Sequence, residues 1–172
     1  MPITFQQTIE PPWSEVNPLR VGKIPAGSGT PDVFVCVEAP DGTRRRVDIY
    51  ADRAEETFCF QEAVFWQQWL AIGFGHRLYL LSGEQDPPII FPLDSYFGHL
   101  YPTGSFLLVA TASQLHCFNP DGTCKWSSPD LGLDGVIIHE IGPDTIRGEG
   151  EWDPPGGWKA FQIRCATGEL LK

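Results

Sequence analysis

Basic residues are scarce in this chain: 12 lysines and arginines face 22 aspartates and glutamates among 172 residues, a formal net charge of −10. A surface of that sign repels a phosphate backbone, so nucleic acid is not an expected partner. The one basic cluster, Arg44-Arg45-Arg46, follows a turn signal and reads as charge that keeps an exposed strand from pairing with another chain. Long apolar runs are missing too. The longest, Trp69-Leu70-Ala71-Ile72-Gly73-Phe74-Gly75, falls far short of the roughly 20 residues needed to cross a bilayer, and no membrane association is expected. An export signal requires a positive start and an apolar stretch of roughly 7–15 residues. Met1 to Trp13 is instead polar and contains Pro11-Pro12, so the expected location is cytoplasmic. Cysteines stand at 36, 59, 117, 124 and 165 with no CxxC pair. An odd number cannot pair fully within one chain, and reduced thiols follow.

Motifs of known chemistry are absent as well. The four histidines, at 76, 99, 116 and 139, have no HxH, HxxxH or Cys-His spacing that would set two metal ligands on one element, so no metal is expected. His116 and Cys117 are adjacent, but neighbours on a strand point to opposite faces and do not combine as base and nucleophile. There is no GxSxG elbow, no phosphate loop and no dinucleotide fingerprint; Gly27-Ser28-Gly29 reads as a flexible loop. No cofactor is implied.

What the chain does have is turn chemistry and aromatic bulk. Glycine (18) and proline (16) together make up about one residue in five, below the roughly 25–30% of disordered low-complexity chains. Trp (6), Phe (11) and Tyr (4) supply large side chains that favour the pleated surface of strands. A chain of this length buries a core of its own, and a single all-β domain over 1–172 is expected.

The repeat is the most informative feature. Pro40-Asp41-Gly42-Thr43 recurs letter for letter as Pro120-Asp121-Gly122-Thr123. A strand-like run precedes each copy: Val33-Phe34-Val35-Cys36-Val37 and Leu115-His116-Cys117-Phe118. Each therefore reads as a hairpin. Ser82-Gly83 and Thr167-Gly168 fall into the same rhythm, so that Gly42, Gly83, Gly122 and Gly168 recur at intervals of about forty residues. Further strands lie upstream at Trp69 to Gly73, Phe106 to Ala110 and Thr145 to Gly148. The expected layout is an N-terminal Pro/Gly-rich segment, 1–30, followed by four β units over 31–172. In Ala51 to Trp69 alternation outweighs helical period, leaving at most a helical turn near Asp52 to Glu56.

A forty-residue unit of several short strands resembles the repeats of the β-propeller superfamily, of the quinoprotein-like or WD-repeat kind. That resemblance implies antiparallel blades in a ring, either closed by four units at the lower limit of such rings or left incomplete. The same hairpins also build a β-sandwich or barrel, and the period does not choose between these.

Two neighbouring features are the candidate contact region. Glu149, Glu151 and Asp153 alternate so that all three share a face if the segment is a strand, with Glu149 and Glu151 anchored roughly 6.6 Å apart, within the range of inverting glycosidase carboxylates. Arg147 shares that face and balances the acids. An ordinary solvated face is the simpler account, and no catalytic residue is assigned. Trp152-Asp153-Pro154-Pro155-Gly156-Gly157-Trp158 interrupts the repeat. Prolines stiffen it and glycines allow a reversal that brings two indoles together, as a recognition loop or as an inward clasp. It is similar to a motif of uncharacterised bacterial proteins, a resemblance that implies a bacterial source and no activity. The expectation is a non-catalytic interaction protein with a protein partner, one form being an immunity protein that masks a basic toxin. The alternative is a carbohydrate-binding or carbohydrate-cleaving domain that stacks a sugar on Trp152 or Trp158 beside Glu149, Glu151 and Asp153.

Overall fold

The computed structural model describes residues 1–27, 29–51, 60–83 and 86–171. Among them the chain is all-β: the only helical element is a single 3-10 turn, Trp13–Glu15. The expected turn near Asp52 to Glu56 lies outside the described residues, as does Cys59. The chain divides into two compact units, Met1–Glu56 with Gly83–Pro88, and Thr57–Ser82 with Ile89–Lys172.

The first unit holds one sheet of four strands: β1 (Ile3–Gln6), β2 (Pro18–Gly22), β3 (Val33–Glu38) and β4 (Arg44–Tyr50), in the order β1-β3-β4-β2. Its centre is the expected hairpin, with Val33 opposite Ile49 and Val35 opposite Val47. The sheet departs from the expected antiparallel unit in that β2 runs parallel to β4. Its outer strands come from the Pro/Gly-rich segment, where no strand pattern is legible. Pro18 opens β2 at the sheet edge, a place that tolerates a residue without an N–H. Arg46 does not guard an edge: β4 is internal, and the Arg46 guanidinium bonds Asp48 at 2.9 Å and the Trp13 carbonyl at 2.8 Å.

The second unit contains three sheets, each a meander in chain order. The first joins β5 (Gln61–Trp66), β6 (Trp69–Phe74), β7 (Arg77–Leu81) and β8 (Ile89–Pro92). The second joins β9 (Phe97–Pro102), β10 (Leu107–Thr111), β11 (Leu115–Phe118) and β12 (Cys124–Ser127). The third joins β13 (Val136–Ile141), β14 (Thr145–Glu151) and β15 (Trp158–Arg164). Where the other two have a fourth strand, the third has only an isolated bridge from Ile163 to Leu170. Gly122 and Gly168 thus mark the same place, the turn after the third strand. Gly83 follows β7 in the same way, although the link to β8 passes residues outside the described set.

The recurring Pro-Asp-Gly-Thr builds the same turn twice. Gly42 N–H donates to Ala39 O and Gly122 N–H to Asn119 O, both at 2.9 Å. The aspartate accepts from the threonine N–H at 2.9 Å in each copy. Both glycines take left-handed backbone, φ +83° and +86°, which a Cβ would strain.

Packing follows from alternation. On β10, Leu107 and Val109 join Trp69, Ala71, Leu78 and Leu80 in one apolar cluster. Leu108 and Ala110 join Val136, Ile138, Ile146 and Ile163 in another. The middle sheet is therefore covered on both faces, and all five residues of β10 are buried. At roughly 1.5–3 kcal/mol for each fully buried large aliphatic side chain, these two interfaces dominate the stability of the unit.

Candidate contact face and a buried polar clasp

The third sheet has one face in the core and one in solvent, and β14 shows the alternation directly. Ile146, Gly148 and Gly150 are buried, while Thr145, Arg147, Glu149 and Glu151 face out. The inward glycines are required by close neighbours: a Cβ at Gly148 would stand 2.6 Å from Cζ of Phe161. Ile137, opposite Glu149, and Trp158, opposite Glu151, lie in the same rows.

Glu149 and Glu151 share this face as expected, but Asp153 does not. β14 ends at Glu151, and the chain turns away, closed by Trp152 N–H to Gly157 O and Gly157 N–H to Asp153 O, both 3.0 Å. The two glutamates also have separate employment. Glu149 Oε2 lies 3.4 Å from Nε2 of His139, and Glu151 Oε1 accepts the Gly156 N–H across the loop. Arg147 pairs at 3.0 Å with Glu140 on β13, not with either of them. The pairing is one of ordinary surface charges, worth little individually.

The two indoles of the loop have different neighbours. Trp152 receives the Lys159 ammonium over its ring, 5.6 Å from the centroid. The Trp158 ring rests against Gly135, where a Cβ would stand 3.1 Å from it, yet Trp158 remains 39% exposed. It is neither a closed clasp nor a free side chain. Beside this region an open cleft of about 450 Å³ is lined by His139, Arg147, Glu149, Phe161, Gln162 and Leu170. Of the sequence candidates only Glu149 reaches it.

A second polar group brings His116 together with Asp94 and Ser127, a partnership the sequence does not signal. His116 on β11 is buried, its side chain 4% exposed, with Phe91 set edge-on at 5.6 Å. Nε2 lies 2.7 Å from Oδ1 of Asp94, in the link between β8 and β9, and Nδ1 lies 2.7 Å from Oγ of Ser127 on β12. Thr111 Oγ1, Ser113 Oγ and Ser95 Oγ donate to the same carboxylate at 3.0, 2.5 and 2.9 Å. Burial raises the Asp94 pKa, but the hydrogen bonds from His116, Ser113 and Ser95 outweigh it and hold the carboxyl well below its ordinary value. With Asp94 ionised, Nε2 donates to it, and Nδ1 shares a hydrogen bond with the Ser127 hydroxyl.

Carboxylate, imidazole and hydroxyl stand in the order of a nucleophile relay. A relay base must also hand its proton to a leaving group, and this ring is enclosed by Phe91, Asp94 and Ser127. The group ties the β8–β9 link, the β10–β11 turn and β12 together. These partners are scattered from Asp94 to Ser127; the only local hint is the hydroxyl-bearing turn Thr111-Ala112-Ser113-Gln114. Cys117, next to His116, belongs to the opposite apolar cluster, and burial pushes its thiol up to about 12.

No group of three or more His, Cys, Asp or Glu among the described residues is placed to hold a metal ion. None of their helices is long and apolar enough to cross a membrane. No family model matches the chain, and no curated protein matches it in sequence.

Proposed function

We propose that the chain is a non-catalytic interaction protein of the bacterial cytoplasm that meets a protein partner with the outer face of its third sheet and the Trp152 to Trp158 loop. The observation that carries this reading is the character of that face. Apolar groups stay in solvent, Ile137 at 36%, Trp158 at 39% and Leu170 at 54% exposed, while beside them Arg147 pairs with Glu140 and Glu151 is held by the Gly156 N–H. Exposed aromatic and aliphatic groups inside a polar surround are the makings of an interface core and rim. A carboxylate pair free to act as acid and base is what sugar cleavage needs, and the separate engagement of Glu149 and Glu151 argues against it. Masking of a basic toxin, as by an immunity protein, is one form the function takes, since a net charge of −10 steers basic partners inward. In the same reading the three stacked meanders are successive blades of an incomplete β-propeller.

Cross-linked capture from the bacterial source tests the proposal. Wild-type protein is expected to retain a stoichiometric partner that the double variant Ile137→Glu, Trp158→Ala loses. Equal capture by both would overturn the assignment of the face. A fluorophosphonate probe is expected to leave Ser127 unlabelled, and stoichiometric labelling there would defeat the non-catalytic reading.

A further inference from the structure

Away from that face, four aromatic rings form a continuous strip on the second unit. Phe60, immediately before β5, stacks with Tyr96 at a centroid distance of 6.3 Å and an interplanar angle of 23°. It meets His99 on β9 at 5.8 Å, and His99 meets Tyr101 at 6.2 Å. Strips of this kind are usually covered in a folded protein, because aromatic burial is worth several kcal/mol. This one is open at its centre, where Phe60 is 47% exposed and the His99 side chain 49%.

Acidic groups flank it. Glu62 on β5 accepts the Leu100 N–H at 2.9 Å through Oε2, the oxygen that lies 3.7 Å from Nδ1 of His99. Among the described residues its Oε1 has no partner. At the other end the Tyr96 hydroxyl donates to the carboxylate of Asp134 at 2.7 Å. The Tyr101 hydroxyl is held above its ordinary pKa by burial and by the negative charge of Glu62. Ring faces are the negative side of an aromatic quadrupole, so rings and carboxylates here favour the same kind of guest, a cation with a flat face.

We propose that this strip receives the guanidinium of an arginine side chain on a basic protein partner, stacked on Phe60 and hydrogen-bonded to the open oxygen of Glu62. The guanidinium is planar, weakly hydrated and rich in donors, so it can stack and pair at once; an ammonium is a compact, strongly hydrated point charge that cannot. A sugar ring would also stack and donate hydroxyls to the carboxylate, but it carries no positive charge to pair with it. The site uses none of the residues of the third sheet's outer face, so either surface can fail without the other.

The test is an NMR titration of the intact chain, reading ring signals of Phe60, Tyr96, His99 and Tyr101, with a tri-arginine peptide against tri-lysine and maltotriose. Tri-arginine is expected to shift these four rings together. Phe60→Ala and Glu62→Gln are each expected to weaken binding at least about threefold, and Phe60→Trp to preserve or tighten it. Glu62→Gln keeps an oxygen for the Leu100 N–H, and Phe60 is exposed, so neither substitution removes a core contact. Absence of ring shifts, equal binding of tri-lysine, shifts from maltotriose alone, or undiminished binding by both weakening variants would each overturn the proposal.

Discussion

The Asp94 carboxylate meets the His116 imidazole at 2.7 Å, joining a link between two sheets to the third strand of the next. Because the carboxyl is held below its ordinary value when folded, it binds a proton less readily than in the unfolded chain. Its stabilising effect is fully present above the unfolded value of about 4 and is lost as pH falls through the folded value. Denaturant unfolding between pH 6 and pH 2, values of about the range in which carboxyls titrate, should show stability falling with acid. Asp94→Asn should cost about 2–3 kcal/mol at neutral pH and flatten that fall. An unchanged acid slope in the variant would show that the clasp contributes nothing.

Gly42 and Gly122 occupy the same turn with nearly the same backbone, and their surroundings separate two effects. A Cβ at Gly42 meets nothing within 4 Å, whereas at Gly122 it would stand 2.7 Å from Ile89 and 3.1 Å from Trp69. Gly42→Ala should cost only left-handed strain, about 1–2 kcal/mol. Gly122→Ala should add about 1–3 kcal/mol of overpacking. Urea unfolding of the two variants should reveal the difference.

Trp158 and Trp126 offer a second matched pair. Trp126 is 9% exposed and its Nε1 donates to Cys165 O at 3.1 Å. Trp126→Ala should cost about 3–5 kcal/mol, as core aromatic truncations do. Trp158→Ala, at a half-open site, should cost about 1 kcal/mol while weakening partner capture. A loss near that of Trp126 in thermal or urea unfolding would make Trp158 a structural clasp.

The cysteines should sort by accessibility. Burial pushes the Cys36 thiol up to about 11 and the Cys117 thiol up to about 12. A thiol of that kind is about one part in a thousand or less thiolate at mildly alkaline pH, and neither should alkylate in the folded chain. Among the described cysteines Cys124, partly exposed, should react first. Mass spectrometry after brief iodoacetamide treatment checks the order, and the denatured protein should show all five thiols free.

Much of the architecture was legible in the sequence because it is locally encoded. The Pro-Asp-Gly-Thr turns carry their own hydrogen bonds and their own left-handed glycine, so the two hairpins could be placed from letters alone. Alternation along Thr145 to Glu151 assigned the two faces of β14 correctly, since a strand's period of two needs no tertiary context. The same rule failed at Asp153, where the loop's hydrogen bonds end the strand. What the tertiary structure decided is everything that depends on separate segments meeting. β1 and β2 have no apolar pattern strong enough to announce them, and they are strands because β3 and β4 offer edges with unpaired backbone groups. Asp94, His116 and Ser127 read as three unrelated polar residues until the second sheet folds them onto one another. Glu149 and Glu151 read as a pair until His139 and Gly156 draw them to different partners. Local propensity is written in neighbouring residues, whereas a side chain's partner depends on which distant strand the fold lays beside it.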